Sequence, residues 1–276
     1  MHGAGNDYIF VNGIDACPQD LNNLSVVMSD RHKGVGSDGL VFILPSSVAD
    51  FRMRMFNADG SEGEMCGNAS RCIGKYVYEK GLTTKKDITL ETLAGIKKLA
   101  LDVTGGTVTS VTVDMGEPIL EAGRIPVAST QNAVLMPIST TCGEFSITAV
   151  SMGNPHGVIF VDDLGKVDVH GAGRQLECHP IFPKRANIEF VQALARDELM
   201  MRVWERGSGE TLACGTGACA SLVAGVITGK CGRRVTIHLL GGDLVIRWDE
   251  ENNRVYMTGP AETAFEGTYI YKEQEH

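Results

Sequence analysis

Two rhythms of apolar and polar residues run along this chain. Phe51-Arg52-Met53-Arg54-Met55-Phe56 alternates apolar and basic at nearly every step, which predicts a half-buried strand. Residues 40–44 form an unbroken apolar run closed by Pro45, which predicts a buried strand. Residues 21–33 gather their apolar side chains on one helical face, with Gly34 as the stop. A second helix is predicted over 69–80, stopping at Gly81. Further on, residues 200–204 predict a strand and 205–209 a turn. Residues 217–228 predict a helix so uniformly small and apolar that it must lie inside its domain. Segments 99–113 and 235–248 have strand composition.

These elements occur in the same order twice. A shift of 148 residues (214 minus 66) carries Cys66 onto Cys214 and Met53-Arg54-Met55-Phe56 onto Met201-Arg202-Val203-Trp204. The same shift carries Glu62 onto Glu210 and Gly5-Asn6 onto Gly153-Asn154 without a gap. Later matches drift slightly: Thr92-Leu93-Ala94-Gly95 resembles Leu239-Leu240-Gly241-Gly242. The expected domains are 1–117 plus 262–276, carrying Cys66, and 118–261, carrying Cys214. The last segment is expected to return to the first copy. A strand-like run, 145–151, precedes the second Gly-Asn, whereas only four residues precede the first, so an upstream strand of the first copy is expected to be missing.

Charge and composition narrow the function classes. The net charge of −9 argues against a nucleic-acid or membrane-surface role. No apolar run reaches membrane-spanning length, and Met1-His2-Gly3-Ala4 does not open like a signal peptide, so a cytoplasmic protein is expected. Eight cysteines without a C-x-x-C pair fit neither a disulfide scaffold nor a zinc knuckle. Gly34-Val35-Gly36-Ser37-Asp38-Gly39 matches G-x-G-x-x-G, but a helix precedes it and a strand follows, the reverse of a dinucleotide site.

The repeat directs attention to Cys66 and Cys214. Each lies just before a predicted helix, with Asn68 and Thr216 as expected N-caps and Gly67 and Gly215 leaving backbone N–H groups open. A helix N-terminus lowers a thiol's pKa and seats a carboxylate. Two such thiols on opposite faces of a carbon can remove a proton and replace it from the other side. Cys72 and Cys219 fall within the helices and read as core, as do Cys17, Cys142, Cys178 and Cys231.

The segments HGAGND (2–7), FNADGSEGEMCGN (56–68), SMGNPH (151–156), ANIEF (186–190) and ERGSGETLACGTGACA (205–220) resemble diaminopimelate epimerase across essentially the whole chain. That resemblance implies an α/β fold of two pseudo-symmetric domains, each with mixed strands wrapped around a central helix, and an active site in the cleft between them. It implies a pyridoxal-phosphate-independent, metal-free isomerase of LL- and meso-diaminopimelate, serving lysine and peptidoglycan synthesis, usually as a homodimer. Its partner is a small amino acid, with no nucleic acid and no membrane. Carried across, Cys66 and Cys214 are the acid/base thiols, and His156 and Glu205 support them. Gly67, Asn68, Gly215 and Thr216 hold the α-carboxylate. Asn6, Asn57, Asn154, Asn187, Glu205 and Arg206 line the substrate. Two departures stand out: Gly39 replaces a common Gln, and Ala69 replaces the last glycine of Cys-Gly-Asn-Gly. The rival readings are a racemase of proline, hydroxyproline or histidine type and a non-enzymatic thiol or zinc protein.

Overall fold

The computed structural model describes residues 1–129 and 133–271; residues 272–276 of the final segment lie outside them. The chain divides into two compact units, Met1–Val113 with Pro260–His276, and Asp114–Gly259. No helix among the described residues is long and apolar enough to cross a membrane.

In the first unit, Ile9–Asn12 pairs parallel to Gly39–Leu44, which pairs antiparallel to Phe51–Asn57. Phe51–Asn57 then meets Asp87–Thr92 in parallel, and Gly95–Thr104 and Thr107–Gly116 follow as antiparallel neighbours. Helix α1 (Leu21–Ser29) buries Leu21, Leu24 and Met28 against Leu40, Phe42 and Phe56. Helix α2 (Gly67–Glu79) is buried on most positions even though it carries Arg71 and Lys75. Both cations are supplied with acceptors, Arg71 by Asn68 and Pro260 and Lys75 by Glu79 and Val108, as buried charge requires. The final segment lies on this unit: His2 and Glu262 exchange two 2.9 Å backbone hydrogen bonds, and Tyr269 and Tyr271 pack on the α1 cluster.

The second unit repeats this plan. Met136–Thr140, Gly143–Ser151 and Pro155–Phe160 are successive antiparallel neighbours. Pro155–Phe160 runs parallel to Asn187–Ala195, which pairs antiparallel to Glu198–Glu205. Arg234–Leu239 joins in parallel, then Gly242–Trp248 and Val255–Gly259 in antiparallel order. Helices α3 (Val169–Glu177) and α4 (Gly215–Ile227) are the 148-residue images of α1 and α2, end to end. The α1–α3 match was invisible in the apolar pattern, but both helices start on an aspartate, Asp20 and Asp168, whose carboxylate accepts the N–H of Asn23 or Gly171. Leu222 and Val223 of α4 are fully buried, worth about 1.5–3 kcal/mol each.

Several expectations need correction. Helix α1 stops at Ser29 rather than Lys33. The Asp30 carboxylate accepts the N–H groups of His32 and Lys33 at 2.7 and 2.9 Å, diverting the chain into a turn. Helices α2 and α4 start two residues early, so Asn68 and Thr216 are not the caps. Cys66 and Cys214 hold the extended N-cap backbone themselves, and their carbonyls accept the first helical bonds, from Ser70 and Ala218, at 2.9 Å. Three cysteines expected in the core are exposed: Cys17, Cys142 and Cys178. Cys142 sits in the turn between two strands and Cys178 caps the C-terminus of α3, where no apolar layer covers them.

Gly39 has a steric origin. A Cβ there would lie 2.0 Å from the Phe56 carbonyl oxygen, so in this chain a side chain at 39 requires the backbone to shift. Gly39→Ala must push apart two core strands and is expected to cost about 1–3 kcal/mol. Urea unfolding of the variant, read as a lowered midpoint at unchanged slope, checks this.

Candidate active site

The two thiols are presented in the same way by different hydrogen-bond networks. Gly5 and Gly153 both have positive φ, 83° and 105°, a region open to glycine at little cost. Each turns the following asparagine, Asn6 or Asn154, toward the start of a helix.

In the first unit, Cys66 is half-buried at the start of α2. Its Sγ donates to Asn6 Oδ1 at 3.5 Å, and Asn68 Nδ2 donates to the same oxygen at 3.3 Å. Asn6 is oriented from behind, because its Nδ2 donates to Asp38 Oδ2 at 2.8 Å. Asn68 is oriented by fully buried Arg71, whose Nη2 donates to its Oδ1 at 2.8 Å. Arg31 bridges Asp38 and Asp7 at the exposed end. Burial, and then the neighbouring Asp7 carboxylate, push the Asp38 carboxyl up. In this network the Cys66 thiol is the donor and the Asn6 amide oxygen the acceptor.

Cys214 in the second unit is 5% exposed and more crowded. Its Sγ lies 3.5 Å from Thr216 Oγ1, which accepts from Asn154 Nδ2 at 3.3 Å. Asn154 Oδ1 lies 2.9 Å from His156 Nε2, and His156 Nδ1 lies 2.7 Å from Glu189 Oε1. Glu205 is hydrogen-bonded to Cys214 and accepts from Thr211 Oγ1 at 2.5 Å. Burial pushes the Cys214 thiol well up, with the Glu205 and Glu189 carboxylates adding to it. The Thr216 hydroxyl and the Gly217 N–H at the helix start act the other way. Burial likewise raises the Glu205 carboxyl, against the hydrogen bonds from Thr211 and Cys214. Each helix start thus supplies open donors, but the second adds two carboxylates and an imidazole.

His156, Glu189 and Cys214 bring one polar atom each within 4.8 Å. That spacing would suit three ligands of a metal ion. Both ring nitrogens of His156 are already engaged in hydrogen bonds, with Glu189 and Asn154.

Of the remaining expected residues, Gly67 and Gly215 are the buried first residues of α2 and α4. Asn187 is buried, and both ends of its amide serve the backbone: Nδ2 donates to Pro155 O and Oδ1 accepts from Arg206 N. Arg206 is exposed, with one Nη1 bond to Lys184 O. Asn57 is exposed at the end of its strand and donates to Ser61 rather than joining the Asn6–Cys66–Asn68 group. Sequence reasoning missed Asp38, Thr211 and Glu189. A signal for Glu189 existed: it is the one acid inside the apolar run Ile188-Glu189-Phe190-Val191, on a strand buried on both faces.

Glu205→Gln removes one carboxylate from beside the thiol. The pH at which Cys214 becomes reactive is therefore expected to fall, by about one unit, with a roughly tenfold faster alkylation near neutrality. Peptide-resolved measurement of Cys214 alkylation against pH checks this.

The diaminopimelate epimerase family model matches residues 1–121 and 148–264. A diaminopimelate epimerase of Acetivibrio thermocellus is 56% identical over 268 residues, covering 97% of this chain and 96% of its own. One from Methanococcus maripaludis is 55% identical, covering 97% of each chain. Among solved structures, a probable proline racemase from Agrobacterium radiobacter superposes with a TM-score of 0.66 at 16% identity, covering 96% of this chain and 92% of its own. A hydroxyproline epimerase from Agrobacterium vitis gives 0.64 at 18%, covering 94% and 86%. These two structures carry the fold, a mixed α/β architecture, and the sequence matches carry more: the chain belongs to the diaminopimelate epimerase family.

Proposed function

We propose that this protein interconverts LL- and meso-diaminopimelate without pyridoxal phosphate, with Cys66 and Cys214 as the two acid/base groups. The observation that carries the reading is the pair of thiols at repeat-equivalent helix N-caps, in a chain 56% identical to a relative named for this epimerisation. One thiolate takes the α-proton: an S–H bond forms as the C–H bond breaks. The electron pair remains on the α-carbon and its carboxylate. The other thiol then delivers a proton to the opposite face, which inverts the centre and leaves a thiolate in its place. The reaction needs both sulfurs at one α-carbon.

The carbanion is the costly species, and the helix starts answer it. Open N–H groups at Gly67-Asn68 and Gly215-Thr216 are suited to the α-carboxylate, where charge accumulates. A preorganised donor aimed at such charge lowers a barrier by about 2.7–4 kcal/mol. The two thiols sit in different networks, Cys66 donating to Asn6 and Cys214 lying beside Glu205 and His156. Arg206, exposed and held by Asn187, is suited to the distal carboxylate of the substrate.

Two further parts of the reading rest on coarser support. The relatives are named for a biosynthetic epimerisation, which supports a cytoplasmic setting. A homodimer is part of the family resemblance, and the exposed Phe265 and Ile270 of the final segment offer it apolar surface.

Incubation with LL-diaminopimelate and no added cofactor, followed by chiral analysis, is expected to yield the meso form. In deuterated water, deuterium is expected at the product α-position. Cys66→Ala and Cys214→Ala are each expected to abolish turnover with the melting temperature nearly unchanged. Retained turnover in either variant would refute the two-thiol scheme. Conversion of proline or hydroxyproline instead would favour the racemase reading.

A further inference from the structure

We propose that Glu189 is a positioning residue of the second half-site, holding one proton in common with His156 so that the pair stands neutral beside Cys214 and presents Nε2–H to Asn154. The rate test below rests on the epimerase reading; the two tests made without substrate do not.

The hydrogen bonds place the proton. Asn154 Nδ2 donates to Thr216 Oγ1 at 3.3 Å, so Asn154 Oδ1 is an acceptor toward His156. The contact of 2.9 Å between that oxygen and His156 Nε2 therefore contains the Nε2 hydrogen. The other ring nitrogen, Nδ1, lies 2.7 Å from Glu189 Oε1. A bare nitrogen and a bare carboxylate both accept, and two acceptors do not approach to 2.7 Å without a proton between them. The pair thus carries one proton more than a neutral imidazole beside an ionised carboxylate, whichever of its two atoms holds it.

Electrostatics argue the same way. His156 and Glu189 are both 0% exposed, and Glu189 Oε2 has no hydrogen-bond partner among the described atoms. Cys214 and Glu205 are titratable neighbours of the pair. A bare Glu189 would set a second unsolvated charge beside Glu205. A shared proton removes it. The Thr216 hydroxyl, which receives the Asn154 amide, lies 3.5 Å from the sulfur.

The repeat shows that this is an addition to the common plan. The first copy has Tyr8 where the second has His156, and Val41 where it has Glu189. Room for the carboxylate is built in: a Cβ on Gly217 would lie 2.6 Å from Glu189 Oε1, whereas the matching residue of α2 is Ala69.

Three measurements on the full chain decide it. In protein carrying 15N-labelled histidine, His156 Nε2 is expected to be protonated throughout the neutral range; a bare Nε2 would overturn the proposal. In a Cys66→Ser background, adding Glu189→Gln exchanges one neutral pair for another. The pH profile of Cys214 alkylation is then expected to move by less than half a unit. A shift of a unit or more to lower pH would mean that a bare carboxylate had stood there, and the idea fails. Glu189→Val, which installs the residue of the first copy, is expected to lower kcat at least tenfold with KM within threefold. Unchanged kcat in a folded Val variant would remove the positioning role. If that variant does not fold, the spectrum and the Gln profile still decide.

Discussion

The start of a buried helix governs this molecule. In each unit the sheet wraps a helix whose first turn has backbone N–H groups with no partner inside the helix. The residue at that turn is a cysteine in extended backbone, so its sulfur stands at the partly positive end while its carbonyl closes the first helical bond. Burial pushes a thiol toward its neutral form, and the helix end pushes the other way. A thiol held between those tendencies can both take and give a proton.

The surroundings then tip each thiol differently. Around Cys66 the tuning is by orientation: Asp38 and Arg71 fix two asparagine side chains so that an amide oxygen faces the sulfur. Around Cys214 it is by titratable neighbours, with His156 and Glu189 within a few ångströms and Glu205 hydrogen-bonded to the thiol. Epimerisation in both directions needs two groups of the same chemistry, but nothing requires them to rest in the same state.

Much of this was legible in the sequence, for definite reasons. The strands announced themselves because alternation at Phe51–Asn57 and the apolar run at Gly39–Leu44 report burial directly. The thiols announced themselves because duplication wrote the same motif twice. The helix starts were misplaced by two residues because cysteine is a poor capping side chain and the neighbouring Asn68 and Thr216 are good ones; the backbone, not the side chain, decided the cap. Helix α3 went unseen because its apolar positions are few and its glycines many. Asn57 lies at the exposed end of its strand, where its amide serves a turn. Glu189 was missed because pattern reading treats a lone acid in a strand as noise, when the cost of burying it is itself the information.

The end-to-end correspondence of α1 with α3 and of α2 with α4 bears on how such a catalyst can arise. A half-length ancestor working as a two-fold dimer would have to carry identical residues at both sulfurs, because one gene would encode both. Any acid introduced near one thiol would appear beside the other. Fusing the halves into one polypeptide lifts that restriction: Val41 and Glu189 can then differ while the frame around them stays the same. Joining the copies is what makes unlike surroundings at the two cysteines heritable.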